Sequence, residues 1–176
     1  IREVYADLQK YDAWYENAEN PADVAIVYPQ DDIPLRQLSS VRSSVRMLDE
    51  LKVQFDVLLA DCEKSWEQYK LIILPENVKI TDLLADRIRE FIARGGAFFA
   101  CEKCGPELGI EYQGDSDMDP VYFRMNQTFG EGLDDMFLSL YAPASKAALK
   151  DAQAVSYLVK PYYNRGWNGE YAIYYT

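Results

Sequence analysis

Cys101 and Cys104 stand two residues apart in "GGAFFACEKCG" (residues 95–105), just past a short apolar run. A thiol at the carboxyl end of a strand is a common place for a nucleophile, but it must first become a thiolate. That takes a nearby base or positive charge. The sequence contains no histidine to serve as that base. Glu102 follows Cys101 directly, and Glu76 ends another apolar run, "KLIILPEN" (70–77). Carboxylates beside a thiol disfavour its charged form. Lys103 is the cation closest in sequence, and alternation along an extended segment directs it away from the Cys101 side. Cys101 therefore reads as an inert, half-buried thiol.

Glu76 and Glu102 raise a second chemistry, because paired carboxylates at roughly 5–5.5 Å carry retaining glycoside hydrolysis. An open sheet of this size lacks the deep cleft such enzymes use, so both read as solvated or helix-capping groups. Aromatic residues crowd the last twenty positions, among them Tyr162, Tyr163 and Trp167, interleaved with Asn164, Arg165 and Asn168. Rings of this kind stack on sugars, which makes these three the candidate carbohydrate contacts. Aromatics also suit strands and interfaces, and that plainer reading is preferred here.

The elements that must position these groups follow from hydrophobic pattern. Apolar runs at 24–29, 53–60, 70–75 and 97–101 read as strands. Helical spacing marks Leu35 to Leu51 and about Thr81 to Arg94, with a Thr81 or Asp82 cap and a Gly95 stop. Strand and helix alternate, and the strands lack inside–outside alternation. Both features predict a parallel α/β sheet with helices on both faces. Beyond residue 105, "GIEYQGDSDMDP" is polar and turn-rich, and the remainder reads as an irregular α+β part. Ahead of the first strand, Val4, Leu8, Tyr11, Trp14 and Tyr15 share one helical face. The reading is a linker helix over 1–20 leading from a preceding domain, then one α/β domain over 21–176. Tyr11, Trp14 and Tyr15 are its candidate docking residues. The chain opens on Ile1 and stops after "YAIYYT", which reads as a piece of a longer protein. A net charge of −11 argues against a nucleic-acid surface, and no apolar run approaches a membrane span.

"YKLIILPENVKITDLLADRIREFIARGGAFFACEK" resembles the strand, proline, helix, Gly-Gly, strand core of the glutamine amidotransferase-like, flavodoxin-like domains. The opening "EVYADLQKYDAWYENAENPADVAIVY" and closing "VSYLVKPYYNRGWNGEYAIYYT" are similar to the branch found after the catalytic barrel of glycoside hydrolases, the β-galactosidase trimerisation domain type. Two departures matter. Active amidotransferases carry Pro-Gly-Gly where this chain has Pro75-Glu76-Asn77, and Gly-x-Cys-x-Gly where it has "FACEK". Those glycines permit the strained turn and the approach of backbone amides to an oxyanion. In the 2-1-3-4 strand order of this fold, Cys62 sits three strand spacings from Cys101, on the order of 14 Å. One metal cannot bridge that gap. Gly105-Pro106 directly after Cys104 is also unlike a redox motif that opens a helix.

The resemblance implies a non-catalytic domain without metal or cofactor, from a β-galactosidase-like or fucosidase-like parent. Its implied partners are the barrel of the same polypeptide and further copies in a homo-oligomer. The alternatives are a small-molecule or carbohydrate-binding module at the strand carboxyl ends, near Tyr28, Glu76 and Cys101, and third a cysteine-dependent enzyme.

Overall fold

The computed structural model of the chain describes residues 2–29, 38–76, 78–100, 108–118, 120–141, 144–161, 163–165 and 171–173. In chain order the first part comprises α1 (Arg2–Leu8), a 3-10 turn (Gln9–Tyr11), α2 (Asp12–Tyr15), β1 (Val24–Tyr28) and α3 (Ser39–Glu50). It continues through β2 (Phe55–Leu59), β3 (Leu71–Leu74), α4 (Asp82–Ala93) and β4 (Ala97–Ala100). The chain divides into two compact units, Ile1–Val78 with Phe91–Phe99, and Lys79–Glu90 with Ala100–Thr176. Among the described residues no helix is long and apolar enough to cross a membrane.

The first unit is built on a parallel sheet of order β2-β1-β3-β4, the expected order. β1 pairs with β2 from Val24↔Phe55 to Tyr28↔Leu59, and with β3 from Val24↔Leu71 to Ile26↔Ile73. Position in the sheet explains the burial. β1 and β3 are central and carry apolar side chains on both faces, so Ala25, Ile26, Val27 and Ile72 are fully buried. β2 and β4 are edges, and each returns to partial exposure at alternate residues. On one face Val24, Ile26 and Ile73 pack with Leu48 of α3, joined by Val45, Phe55 and Leu71. Elsewhere in this unit the Trp66 ring meets Phe91 edge-on, 5.9 Å between centroids.

The helix ends obey local chemistry. Leu84 N–H donates to Thr81 Oγ1 at 3.2 Å, the expected N-terminal cap of α4. At the other end Gly96 N–H donates to Phe91 O and Gly95 N–H to Ile92 O, a Schellman stop with Gly95 at φ +90°. Gly96 has a separate reason to be glycine. A Cβ there would stand 2.3 Å from the Phe91 ring.

The N-terminal stretch differs from the single linker helix expected over residues 1–20. It is helical to Tyr15 but broken by the 3-10 turn, and Asn17 at φ 62° ends it. Asn17 tolerates the left-handed conformation that stops a helix. In the second unit, β5 (Ile110–Asp115) lies within the segment expected to be turn. It survives its polar sequence through an irregular register between Tyr112 and Asp115, where Gly114 sits at φ +100°. β6 (Val121–Met125), β7 (Leu138–Leu140), β8 (Ser145–Leu149) and β9 (Ser156–Val159) complete two antiparallel sheets, β5-β8 and β7-β6-β9. β10 (Tyr163–Arg165) and β11 (Tyr171–Ile173) form a separate antiparallel pair.

One polar cluster anchors edge strand β2 near its amino end. The Asp56 carboxylate accepts hydrogen bonds from Asn20 Nδ2 at 2.8 Å, Lys64 Nζ at 2.7 Å and the Tyr69 hydroxyl at 2.6 Å. Gln68 Nε2 approaches it at 3.4 Å. Partial burial acts to raise the Asp56 carboxyl, but the hydrogen bonds from Lys64, Tyr69 and Asn20 outweigh it and bring it down to about 2. The same carboxylate holds the Lys64 ammonium above its ordinary value. Burial, then the bond to Asp56, pushes the Tyr69 phenol up.

Two outcomes follow for stability, both read by urea unfolding. Gly96→Ala should lose about 1–3 kcal/mol by overpacking against Phe91, more than Gly95→Ala, whose site has open space but a left-handed backbone. Asp56 has a lowered carboxyl, so its contribution is complete above the ordinary value and is lost as pH falls toward the folded one. Asp56→Asn should therefore cost about 1 kcal/mol near neutral pH after allowance for solvent screening, and the gap to wild type should close between about pH 4 and pH 2. A gap that stays constant on acidification would count against this account.

Candidate functional site

The strand carboxyl ends, where open α/β sheets bind ligands, bring together Tyr28, Pro29, Pro75 and Glu76 with the start of α3. Pro29 is fully buried, and Tyr28 and Glu76 are half-buried. Glu76 is engaged from two sides. Its Oε1 accepts from Ser39 Oγ at 2.8 Å, and its own backbone N–H donates to Ser40 Oγ at 3.1 Å. A carboxylate held at the first turn of α3 is also favoured by the helix dipole. Glu76 thus clasps the helix start to the sheet, in keeping with the capping role considered for it. The clasp spans 37 residues, and nothing local in the sequence signals it.

Cys101, Glu102 and Cys104 lie outside the described residues, as do Tyr162 and Trp167. Tyr163 opens β10, where its backbone pairs with Ile173. Cys62 is half-buried three residues past β2, with its N–H bonded to Leu59 O, and β2 and β4 are opposite edges of the sheet.

The other concentration of polar groups, around Asp56, is at the opposite end of the same sheet. Its carboxylate is already taken up by a lysine, a tyrosine and an asparagine. These bonds make it an anchor for the start of β2. A hollow of about 240 Å³ beside Trp66, Tyr69, Phe91 and Gly96 is rimmed by Lys70 and Arg94. Both cations already face carboxylates, Lys70 on Asp23 at 2.7 Å and Arg94 near Glu67 at 3.7 Å.

The apolar surface is more distinctive than any polar cluster. Every residue from Arg2 to Pro21 is exposed. Tyr11 shows 51% of its surface, Trp14 82% and Tyr15 73%, and Val4, Tyr5 and Leu8 are exposed beside them. Tyr5 extends the face beyond the residues the spacing had picked out. The second unit carries a similar stretch that sequence reasoning missed. Phe129, Leu133, Met136, Phe137, Leu138, Leu140 and Tyr141 are all exposed, and β7 is an edge strand. Arg124 is placed over the Phe137 ring at 5.9 Å and pairs with Asp135, which holds that carboxyl below its ordinary range.

No family model and no curated protein matches the sequence. Solved structures do match the fold. The α-L-fucosidase isoenzyme 2 from Paenibacillus thiaminolyticus is 26% identical over 92% of this chain and 26% of its own, with a TM-score of 0.70. A β-galactosidase from Rahnella sp. R3 is 20% identical over 86% of this chain and 28% of its own, TM-score 0.63. A β-galactosidase from the psychrophilic Marinomonas ef1 is 12% identical over 98% of this chain and 29% of its own, TM-score 0.61. At their identities the two β-galactosidases speak for the fold alone. The chain spans between a quarter and a third of the length of each of these proteins. Its solved neighbours are glycoside hydrolases matched over most of this chain, as a domain of such an enzyme would be.

Proposed function

We propose that this chain is a non-catalytic structural domain of a glycoside hydrolase, of the glutamine amidotransferase-like type. It packs against the catalytic domain of the same polypeptide and helps to assemble the oligomer. The observation that carries this reading is the fully exposed aromatic face of residues 2–15. Contiguous apolar surface of this kind marks an interaction site on a soluble protein. The fucosidase likeness supports a hydrolase parent, since it covers 92% of this chain but only 26% of that one. The absence of a histidine to activate a thiol supports a domain without cysteine chemistry of its own. In this reading the acid/base and nucleophile carboxylates belong to the remainder of the parent enzyme.

Burying an aromatic side chain at such a contact contributes on the order of 2–3 kcal/mol. Trp14→Ala in the full-length protein should therefore weaken assembly or interdomain docking by tenfold or more, with the sheet still folded. Sedimentation and crosslinking read the docking, and circular dichroism reads the fold. Unchanged sedimentation and crosslinks with Trp14→Ala would reduce the segment to a tether.

A further inference from the structure

The exposed N-terminal segment buries nothing, yet its last residues are fixed to the sheet with some care. α2 ends at Asn17 in the left-handed region, and Ala18 N–H donates to Tyr15 O at 3.0 Å. Three residues on, the Asn20 side-chain amide donates twice to edge strand β2, to Phe55 O at 3.2 Å and to Asp56 Oδ1 at 2.8 Å. Asn20 O then accepts from Ala22 N–H at 2.8 Å, and Ala22 is buried. Asp23 O accepts from Lys70 and Leu71 N–H, and the Asp23 carboxylate pairs with Lys70 Nζ. Among the described residues, Asn20 is the last hold on the sheet before the chain becomes fully exposed.

We infer that Asn20, seated on Phe55 O and Asp56, is a clamp that sets the angle at which the N-terminal segment leaves the domain. Asp56 can serve as the fixed end because Lys64 and Tyr69 already hold its carboxylate. The lever is long. Helical residues 2–15 extend roughly 20 Å, so a swing of about 20° at Asn20 would displace the far end by about 7 Å. That displacement exceeds what a packed aromatic contact tolerates. The clamp therefore presents the segment to its partner in one orientation, so that less ordering is left to be done on docking. This inference rests on the docking reading above, and the test separates the two.

Genetically encoded spin labels at Gln9 and Ser43, both exposed, report the angle in the full-length protein by pulsed dipolar distance measurement. Trp14→Ala serves as the background, because it weakens docking as a second source of order. In that background the distance distribution should remain single and narrow. Adding Asn20→Ala should at least double its width. Asn20→Asp, which sets a carboxylate against Asp56, should broaden it as much. Circular dichroism confirms that each exposed-site variant stays folded. A distribution already broad in Trp14→Ala alone, or a width indifferent to Asn20, overturns the clamp. Failure of the docking reading shows elsewhere, as sedimentation and crosslinks that do not respond to Trp14→Ala, and leaves the Asn20 comparison readable.

Discussion

Double-sided burial of two neighbouring parallel strands is the constraint on which the rest of the first unit depends. Ala25, Ile26, Val27 and Ile72 leave no solvent-facing side on β1 or β3. Each buried Ile or Val contributes about 1.5–3 kcal/mol, but only while both faces stay covered. α3 supplies one cover through Val45 and Leu48. Among the described strands β2 and β4 flank them, in the order β2-β1-β3-β4. The parallel crossovers in turn place all four carboxyl ends at one end of the sheet.

At that end of the sheet, among the described residues, polar side chains bind one another. Ser39 and Ser40 turn Glu76 toward the start of α3. A carboxylate held in this way fixes a helix to a sheet. The most prominent apolar surface of the first unit is the exposed aromatic face of α1 and α2.

The parts legible in the sequence were those governed by local physics. β-branched runs located β1 and β3, and alternation with helices predicted their parallel pairing. Thr81 and Gly95 marked the ends of α4 through capping chemistry that acts within a few residues. The parts that escaped depend on partners distant along the chain. The Ser39–Glu76 clasp closes over 37 residues and the Asn20–Asp56 bond over 36. Single-residue patterns carry no trace of either. β5 was hidden for another reason, since a bulge lets a strand hold Gly114 and a polar sequence that read as turn. The helical period at the N-terminus was real, but period alone cannot show where a 3-10 turn will interrupt it.

The bond from Asn20 to Phe55 O has a consequence apart from geometry. β2 is an edge strand, and an edge offers unpaired backbone groups to any other extended chain. Val57 and Leu59, exposed along it, would make such pairing attractive. The Asn20 amide occupies the Phe55 carbonyl at the start of this strand, and its second bond engages the Asp56 side chain. Release of the N-terminal segment at Asn20 would therefore also loosen the start of an exposed strand, at its backbone and its side chain together.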